Sequence, residues 1–100
     1  MRQLVVQSRD TASDGSLAPL GTRAALLESL AQLNTGPDQP DGDVLYGPGL
    51  KLELPPSDPV TQMALTVVEE DIAWLVIERF ARRFGWRFLD LESGRELALP

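Results

Sequence analysis

The sequence predicts a small α+β protein in which strands and two helices alternate. Two stretches, one after Thr22 and one from Ile72 to Phe84, place apolar residues at the 3.6-residue spacing of a buried helix face. Two other stretches, residues 50–54 and 62–68, alternate apolar and other residues as half-buried strands do. The length of 100 residues fits a single domain, residues 1–100, with its own core.

The first half of the chain predicts a strand, a loop, a helix and a second loop. Leu4-Val5-Val6 is a short β-branched run and predicts the first strand, and residues 8–19 predict a loop. Thr22 can cap a helix that ends between Asn34 and Pro37. Its predicted apolar face contains Leu26, Leu27, Leu30, Ala31 and Leu33. Residues 35–43 predict a second polar loop.

The second half predicts two strands, a helix and a terminal hairpin. Between residues 44 and 54, Gly47-Pro48-Gly49 must bend the chain, as a bulge or as a tight turn between two short strands. A strand over residues 62–68 then precedes the second helix, whose predicted core arc consists of Ile72, Ala73, Val76, Ile77, Phe80, Ala81 and Phe84. Gly85 suits the left-handed position after a helix. The strand WRFLDL follows, and Ser93-Gly94 can turn it back on RELAL as a small hairpin.

The resulting order is β-α-β-β-α-β with a C-terminal hairpin. This order favours the ferredoxin-like (split βαβ) fold, an antiparallel sheet with both helices on one face. Proteins of this fold include enzymes, amino-acid sensors, RNA-binding proteins and interaction modules, so the fold alone does not give the function.

The stretch FARRFGWRF, residues 80–88, combines rings and arginines and raises the question of nucleic-acid binding. Its spacing places the rings toward the core and the arginines outward or at the helix end. The RNA-recognition motif has the same element order and stacks bases on aromatic residues of its first and third strands. The first and third predicted strands of this chain contain no aromatic residue. Because the net charge is also −6, nucleic-acid binding is only the third hypothesis.

Composition and motifs argue against an enzyme. The chain contains no Cys and no His, which removes the thiolate nucleophile, the commonest general base and the commonest transition-metal ligands. It contains neither a G-x-S-x-G elbow nor a G-x-x-x-x-G-K-[ST] phosphate loop. We therefore expect no catalytic residues and no cofactor.

Two groups of acidic residues raise the question of a metal site. Asp38, Asp41 and Asp43 resemble part of a calcium loop, but the required glycine is misplaced and Gly49 occupies the position of the bidentate Glu. Glu69-Glu70-Asp71 is typical of the first turn of a helix, where acidic side chains are favoured by the positive end of the helix dipole. The sequence therefore predicts no metal site.

One loop offers an alternative of a different class. Asp14-Gly15-Ser16-Leu17 resembles the ligand loop of ACT domains, and this resemblance implies a small-molecule sensor with Asp14, Gly15 and Ser16 near the ligand.

The leading hypothesis is a non-catalytic interaction module that binds a second copy of itself or another protein. The residues predicted to face the helices are Leu4, Val6, Leu50, Leu52, Leu54, Met63, Leu65 and Val67. The opposite sheet face then contains a candidate interaction surface with little charge, formed by Val5, Ala64, Thr66, Val68, Leu89 and Leu91. A homodimer through this face is one possibility. The longest apolar run is too short to cross a membrane and the N-terminus lacks a signal-peptide core, so we expect a cytoplasmic protein.

Overall fold

The computed structural model describes residues 2–11, 13–39 and 42–97. Its elements, in chain order, are β1 (Gln3–Ser8), α1 (Arg23–Ala31), β2 (Gly36–Pro37), β3 (Val44–Gly47), β4 (Leu50–Glu53), β5 (Gln62–Val67), α2 (Glu70–Phe84), β6 (Trp86–Asp90) and β7 (Arg95–Glu96). The prediction of an α+β protein with an antiparallel sheet is confirmed.

The sheet is larger than predicted. Its seven strands lie in the order β2-β3-β4-β5-β1-β6-β7, and all neighbouring pairs are antiparallel. This is not the standard ferredoxin-like topology, because β2 and β3 extend one edge and β7 extends the other. The prediction of a continuous loop over residues 35–43 is wrong at Gly36–Pro37, which pair with Tyr46 and Leu45 of β3.

The bend at residues 47–49 is a hairpin turn between β3 and β4, in which Gly47 pairs with Leu50. Pro48 and Gly49 are its two central residues, and Gly49 has a φ of +76°, the combination that a type II turn requires. The Gly49 carbonyl also accepts hydrogen bonds from the backbone N–H groups of Val68 and Glu69, both at 2.8 Å. The turn is therefore bound directly to the chain that enters α2.

Both helices pack on the same face of the sheet. All eight residues predicted to face the helices are at most 5% exposed, which confirms which side of β1, β4 and β5 faces the helices. The helices add Leu26, Leu30, Ala73, Val76, Ile77 and Phe80 to the same core cluster. The protein thus has two layers, one of helices and one of sheet.

Helix α1 begins and packs largely as predicted. The Thr22 Oγ1 accepts a hydrogen bond from the Ala25 N–H at 3.2 Å and caps the helix. Leu26 and Leu30 are buried, but Ala31 is exposed although the sequence predicts it on the apolar face. Each helical residue advances about 100° around the axis, which carries Ala31 past the sheet-facing side that Leu30 occupies.

Helix α2 starts at Glu70, two residues earlier than predicted, and ends as predicted. Gly85 adopts the left-handed conformation, and its N–H donates to the Ala81 carbonyl at 2.9 Å. One member of the predicted core arc lies outside the core, since Ile72 is 42% exposed. Ile72 lies about 100° around the helix from the buried Ala73 and contacts the Gly49 turn instead.

Candidate functional site: the uncovered face of the sheet

The sheet surface opposite the helices, here called the open face, contains the centre of the predicted interaction surface. Val5 pairs with Ala64 of β5 and with Leu89 of β6, so these three side chains form a row across the middle strands. Val5 and Leu89 are half-buried and Ala64 is exposed. Thr66 lies two residues further along β5, between Gln3 of β1 and Lys51 of β4, and is 6% exposed. Four of the six predicted residues therefore lie together.

The other two predicted residues lie at one end of the open face. Val68 and Leu91 follow the last residues of β5 and β6, and they are 53% and 57% exposed. The Leu91 N–H donates to the Gln3 carbonyl at 3.2 Å, which keeps this residue beside β1. They extend the apolar centre of the open face toward the end at which β1 begins.

The opposite end of the open face is polar and internally hydrogen-bonded. Arg87 Nη2 donates to Gln7 Oε1 at 2.9 Å, and Gln7 Nε2 donates to Gln62 Oε1 at 3.2 Å, which links β6, β1 and β5. Glu96 of β7 accepts from Arg9 at 3.1 Å and lies 4.0 Å from Arg87. Side chains that are already held in this way lose less conformational entropy when a partner covers them.

The strand register places two positive and two negative side chains on the open face. Lys51 and Glu53 of β4 align with Thr66 and Ala64, while Arg87 and Glu96 lie on the other side of Val5. The formal charge of these four groups sums to zero, and Arg9, which binds Glu96, adds one positive charge, whereas the whole chain has a net charge of −6. Two open faces can therefore approach each other without the repulsion expected elsewhere on this acidic protein.

A cleft of about 280 Å³ opens into this face, and no pattern in the sequence indicates it. The last β4–β5 pair is Glu53 with Ala64. The cleft forms beside the first two residues of β5, Gln62 and Met63, which have no partner in β4. The lining residues are Val5, Glu53, Leu54, Pro55, Gln62, Met63 and Ala64. The cleft thus combines apolar walls with the carboxylate of Glu53 and the amide of Gln62.

The rings and arginines of FARRFGWRF separate as the sequence predicts. Phe80 and Phe88 are fully buried, Trp86 is 4% exposed, and Phe84 stacks on Trp86 with ring centroids 4.3 Å apart. The arginines Arg82 and Arg83 are exposed near the end of α2. These rings hold the helix against the next strand.

The predicted ligand loop lies on the surface and is closed by its own hydrogen bonds. Asp14 Oδ1 accepts from the Ser16 hydroxyl at 2.6 Å and from the Ser16 N–H at 3.0 Å. These bonds, with the hydroxyl contributing most, lower the pKa of the Asp14 carboxyl below its usual value. Asp14, Gly15 and Ser16 are exposed and do not line the cleft, so the structure does not bring them to the open face.

Substitution of Ser16 by alanine is expected to raise the pKa of Asp14 toward that of a free aspartate. The hydroxyl hydrogen bond stabilises the carboxylate, and the bond to the backbone N–H remains in the variant. A depressed pKa contributes stability above the unfolded pKa that is lost as the pH falls through the folded pKa. NMR titration of the Asp14 carboxyl measures the shift, with Ser13→Ala in the same turn as control. An unchanged Asp14 pKa in Ser16→Ala would contradict the assignment.

The acidic residues of the two candidate metal groups are exposed wherever the structure describes them, and Glu69, Glu70 and Asp71 lie side by side at the start of α2. The Asp43 carboxylate contacts the Arg23 guanidinium, which also donates to the Pro55 carbonyl at 2.9 Å. Asp38 is exposed, and Asp41 lies outside the described residues. Across residues 2–11, 13–39 and 42–97, no three Asp or Glu side chains are grouped as metal ligands would be.

Comparison with known proteins finds no protein-family model, no curated protein and no solved structure that matches this chain. In the part of the chain that the structure describes, neither helix has the length and hydrophobicity needed to span a bilayer.

Proposed function

We propose that this protein is a non-catalytic interaction module that self-associates through the open face. The observation that carries the proposal is the asymmetry of the sheet, whose helix-facing side chains are buried while, on the other side, Ala64 is exposed and Val5 and Leu89 are only half-buried. An uncovered sheet face with an apolar centre and little net charge is typical of an interface. A second copy with its own open face is the partner whose shape and charge fit best.

The proposed module is a split βαβ unit with added strands. The inner strands lie in the order β4-β5-β1-β6, α1 lies between β1 and β4 in the chain, and α2 connects β5 to β6. Both helices cover one face of these four strands, as a ferredoxin-like unit requires. In this interpretation β2, β3 and β7 widen the sheet and thereby enlarge the open face.

The open face approaches the size that a stable dimer needs. Its seven strands contain 29 residues, and each residue covers about 16 Å² of sheet at a strand spacing of about 4.8 Å and a rise of about 3.4 Å. The projected area is therefore about 470 Å², and the accessible area is larger because the side chains protrude. Each partner contributes roughly 800 Å² to a standard interface.

The two edges of the sheet are poorly suited to adding a strand. Edge strand β2 has two residues, and one of them is Pro37, which has no N–H to donate. Edge strand β7 consists of the charged pair Arg95 and Glu96. Short, charged or proline-containing edges resist strand addition, which favours association through the face.

Substitution of Ala64 by lysine is expected to convert the dimer to a folded monomer. Ala64 lies at the centre of the open face, where a lysine ammonium would be desolvated between two copies. In the monomer the new side chain is exposed and lies opposite Glu53, so folding is preserved. Sedimentation equilibrium should give a dimer dissociation constant below about 100 μM for the wild type, roughly −5.5 kcal/mol, and monomer for Ala64→Lys.

The matched control for this experiment is Ala24→Lys. Ala24 is exposed on α1, in the helix layer, and the substitution changes the net charge by the same amount. This variant should remain dimeric. A wild-type protein that stays monomeric at 100 μM would refute self-association and leave a foreign protein as the partner. Equal dimer loss in both variants would place the interface elsewhere.

A further inference from the structure

Tyr46 is the only tyrosine of the chain, and its ring is 49% exposed on the open face. It pairs with Lys51 on one side and with Gly36 on the other, so the residue directly opposite it in β2 has no side chain. Tyrosine supplies a large rigid contact area with a hydroxyl at its tip, which explains its enrichment among residues that dominate interface energies. Its position and exposure make Tyr46 a projecting group on the open face.

The cleft between β4 and β5 has the size and chemistry to receive such a ring. An apolar cavity of about 150 Å³ in another protein holds benzene, and the cleft here has a volume of about 280 Å³. Its apolar lining includes Val5, Pro55 and Ala64, since Leu54 and Met63 face the helices and are only 5% and 1% exposed, while Glu53 and Gln62 supply oxygen acceptors. Apolar walls with a few placed polar groups are the usual pattern of a site for an aromatic group with one donor.

We propose that, in the dimer, Tyr46 of each copy inserts into the cleft of the other copy. The ring lies against the apolar walls, and its hydroxyl donates to the Glu53 carboxylate or the Gln62 side-chain oxygen of the second copy. The inference rests on the proposed self-association and specifies the residues that anchor it. Because the projecting group and the cleft are on the same surface, the contact occurs twice around a two-fold axis, as an isologous interface requires.

This exchange also determines how the two sheets cross. Tyr46 and the centre of the cleft are separated by about 10 Å across the strands and about 10 Å along them, from strand spacing and residue rise. A two-fold axis that exchanges two such points runs at about 45° to the strands, so the strands of the two sheets cross at about 90°. Orthogonal packing is one of the two common arrangements of paired sheets. The same operation places the two Glu53 residues beside the two-fold axis, facing each other, and brings Lys51 of each copy near Glu53 of the other, so the four groups form a cluster without net charge.

Sedimentation equilibrium of Tyr46→Ala tests the anchor. The dimer dissociation constant should rise at least 10-fold, while circular dichroism remains that of the folded protein because Tyr46 lies outside the core cluster. Tyr46→Phe keeps the ring and should weaken the dimer about 2- to 5-fold through loss of the hydroxyl donor. Leu75→Ala is the control, since Leu75 is 65% exposed on α2 and lies in the other layer. Wild-type affinity in Tyr46→Ala would overturn the proposal, and wild-type affinity in Tyr46→Phe would overturn the hydrogen bond.

Single-cysteine variants give a second test, because the natural chain has no cysteine. We expect a mixture of Tyr46→Cys and Ala64→Cys, treated with a short bismaleimide, to form cross-linked heterodimers at least 5-fold faster than a mixture of Tyr46→Cys and Ala24→Cys. Equal rates would overturn the placement of Tyr46. A monomeric wild type would refute self-association itself, whereas a dimer broken by Ala64→Lys but not by Tyr46→Ala would refute only the anchor.

Discussion

Replacement of Ile77 by aspartate is expected to unfold the protein in water at room temperature. Ile77 is fully buried on the sheet-facing side of α2, within the same cluster as Phe80. An unpaired carboxylate at this position either stays charged in an apolar surrounding or takes up a proton, and both cost several kcal/mol. Domains of this size have a total stability of about 5–15 kcal/mol, and the loss of packing adds to the penalty. Circular dichroism and urea titration measure the result.

Arg82→Ala on the same helix is the control. The Arg82 side chain is 70% exposed and forms one ion pair, with Glu78 at 3.4 Å. An exposed pair spaced i,i+4 contributes about 0.3–0.5 kcal/mol, so the free energy of unfolding should change by less than about 1 kcal/mol. Similar losses in Arg82→Ala and Ile77→Asp would contradict the orientation of α2.

Replacement of Gly49 by alanine should produce the second large loss of stability. Gly49 has a φ of +76°, which already disfavours a side chain, and an added Cβ would lie 2.8 Å from both the Ala73 nitrogen and the Glu69 oxygen. Both atoms belong to the backbone around the start of α2, so a side-chain rotation cannot relieve the overlap. We expect a loss of about 3 kcal/mol or more, since strain and a forced backbone shift add together.

Gly94→Ala isolates the backbone contribution to that loss. Gly94 has a φ of +72°, almost that of Gly49, but no atom lies within 4 Å of an added Cβ. Its substitution should cost about 1 kcal/mol, the usual penalty for a side chain in the left-handed region. Guanidinium or urea denaturation of both variants gives the difference. Equal losses would show that the Gly49 turn is not packed against α2 as described.

Much of the fold could be predicted because the pattern of apolar residues and the residues at the helix ends indicate the same elements. Leu50, Leu52 and Leu54 alternate with polar residues and are all buried, since a strand must place alternate residues on one face. Thr22 and Gly85 delimit the two helices, as their side-chain and backbone preferences require. Where several local preferences agree, the sequence alone determines the element.

The elements that the sequence did not predict depend on distant neighbours. Gly36 and Pro37 have low strand propensity, and they form β2 only because β3 offers them an edge with which to pair. Ile72 fits the apolar spacing of α2 but contacts the Gly49 turn, which no helical pattern can indicate. The full strand order likewise depends on which edges remain available after the core has formed.

In the candidate site, too, local patterns predict some features, while others depend on residues far apart in the sequence. Strand alternation was sufficient to place Val5, Ala64, Thr66 and Leu89 on one surface. The cleft could not be predicted, because it depends on a mismatch between the ends of β4 and β5. The exposure of Tyr46 depends on the glycine opposite it in β2, a strand that the sequence does not predict.

The contact between the Gly49 turn and α2 couples two segments of the chain during local opening. Glu69 supplies no side-chain cap to α2, and its own N–H, with that of Val68, is bound by the Gly49 carbonyl. If the β3–β4 hairpin opens, both amides lose their acceptor together and the entry to the helix is released. If α2 unwinds from its start, the turn loses the surface on which it rests. These segments, about 20 residues apart, therefore belong to one cooperative unit, which opens as a whole.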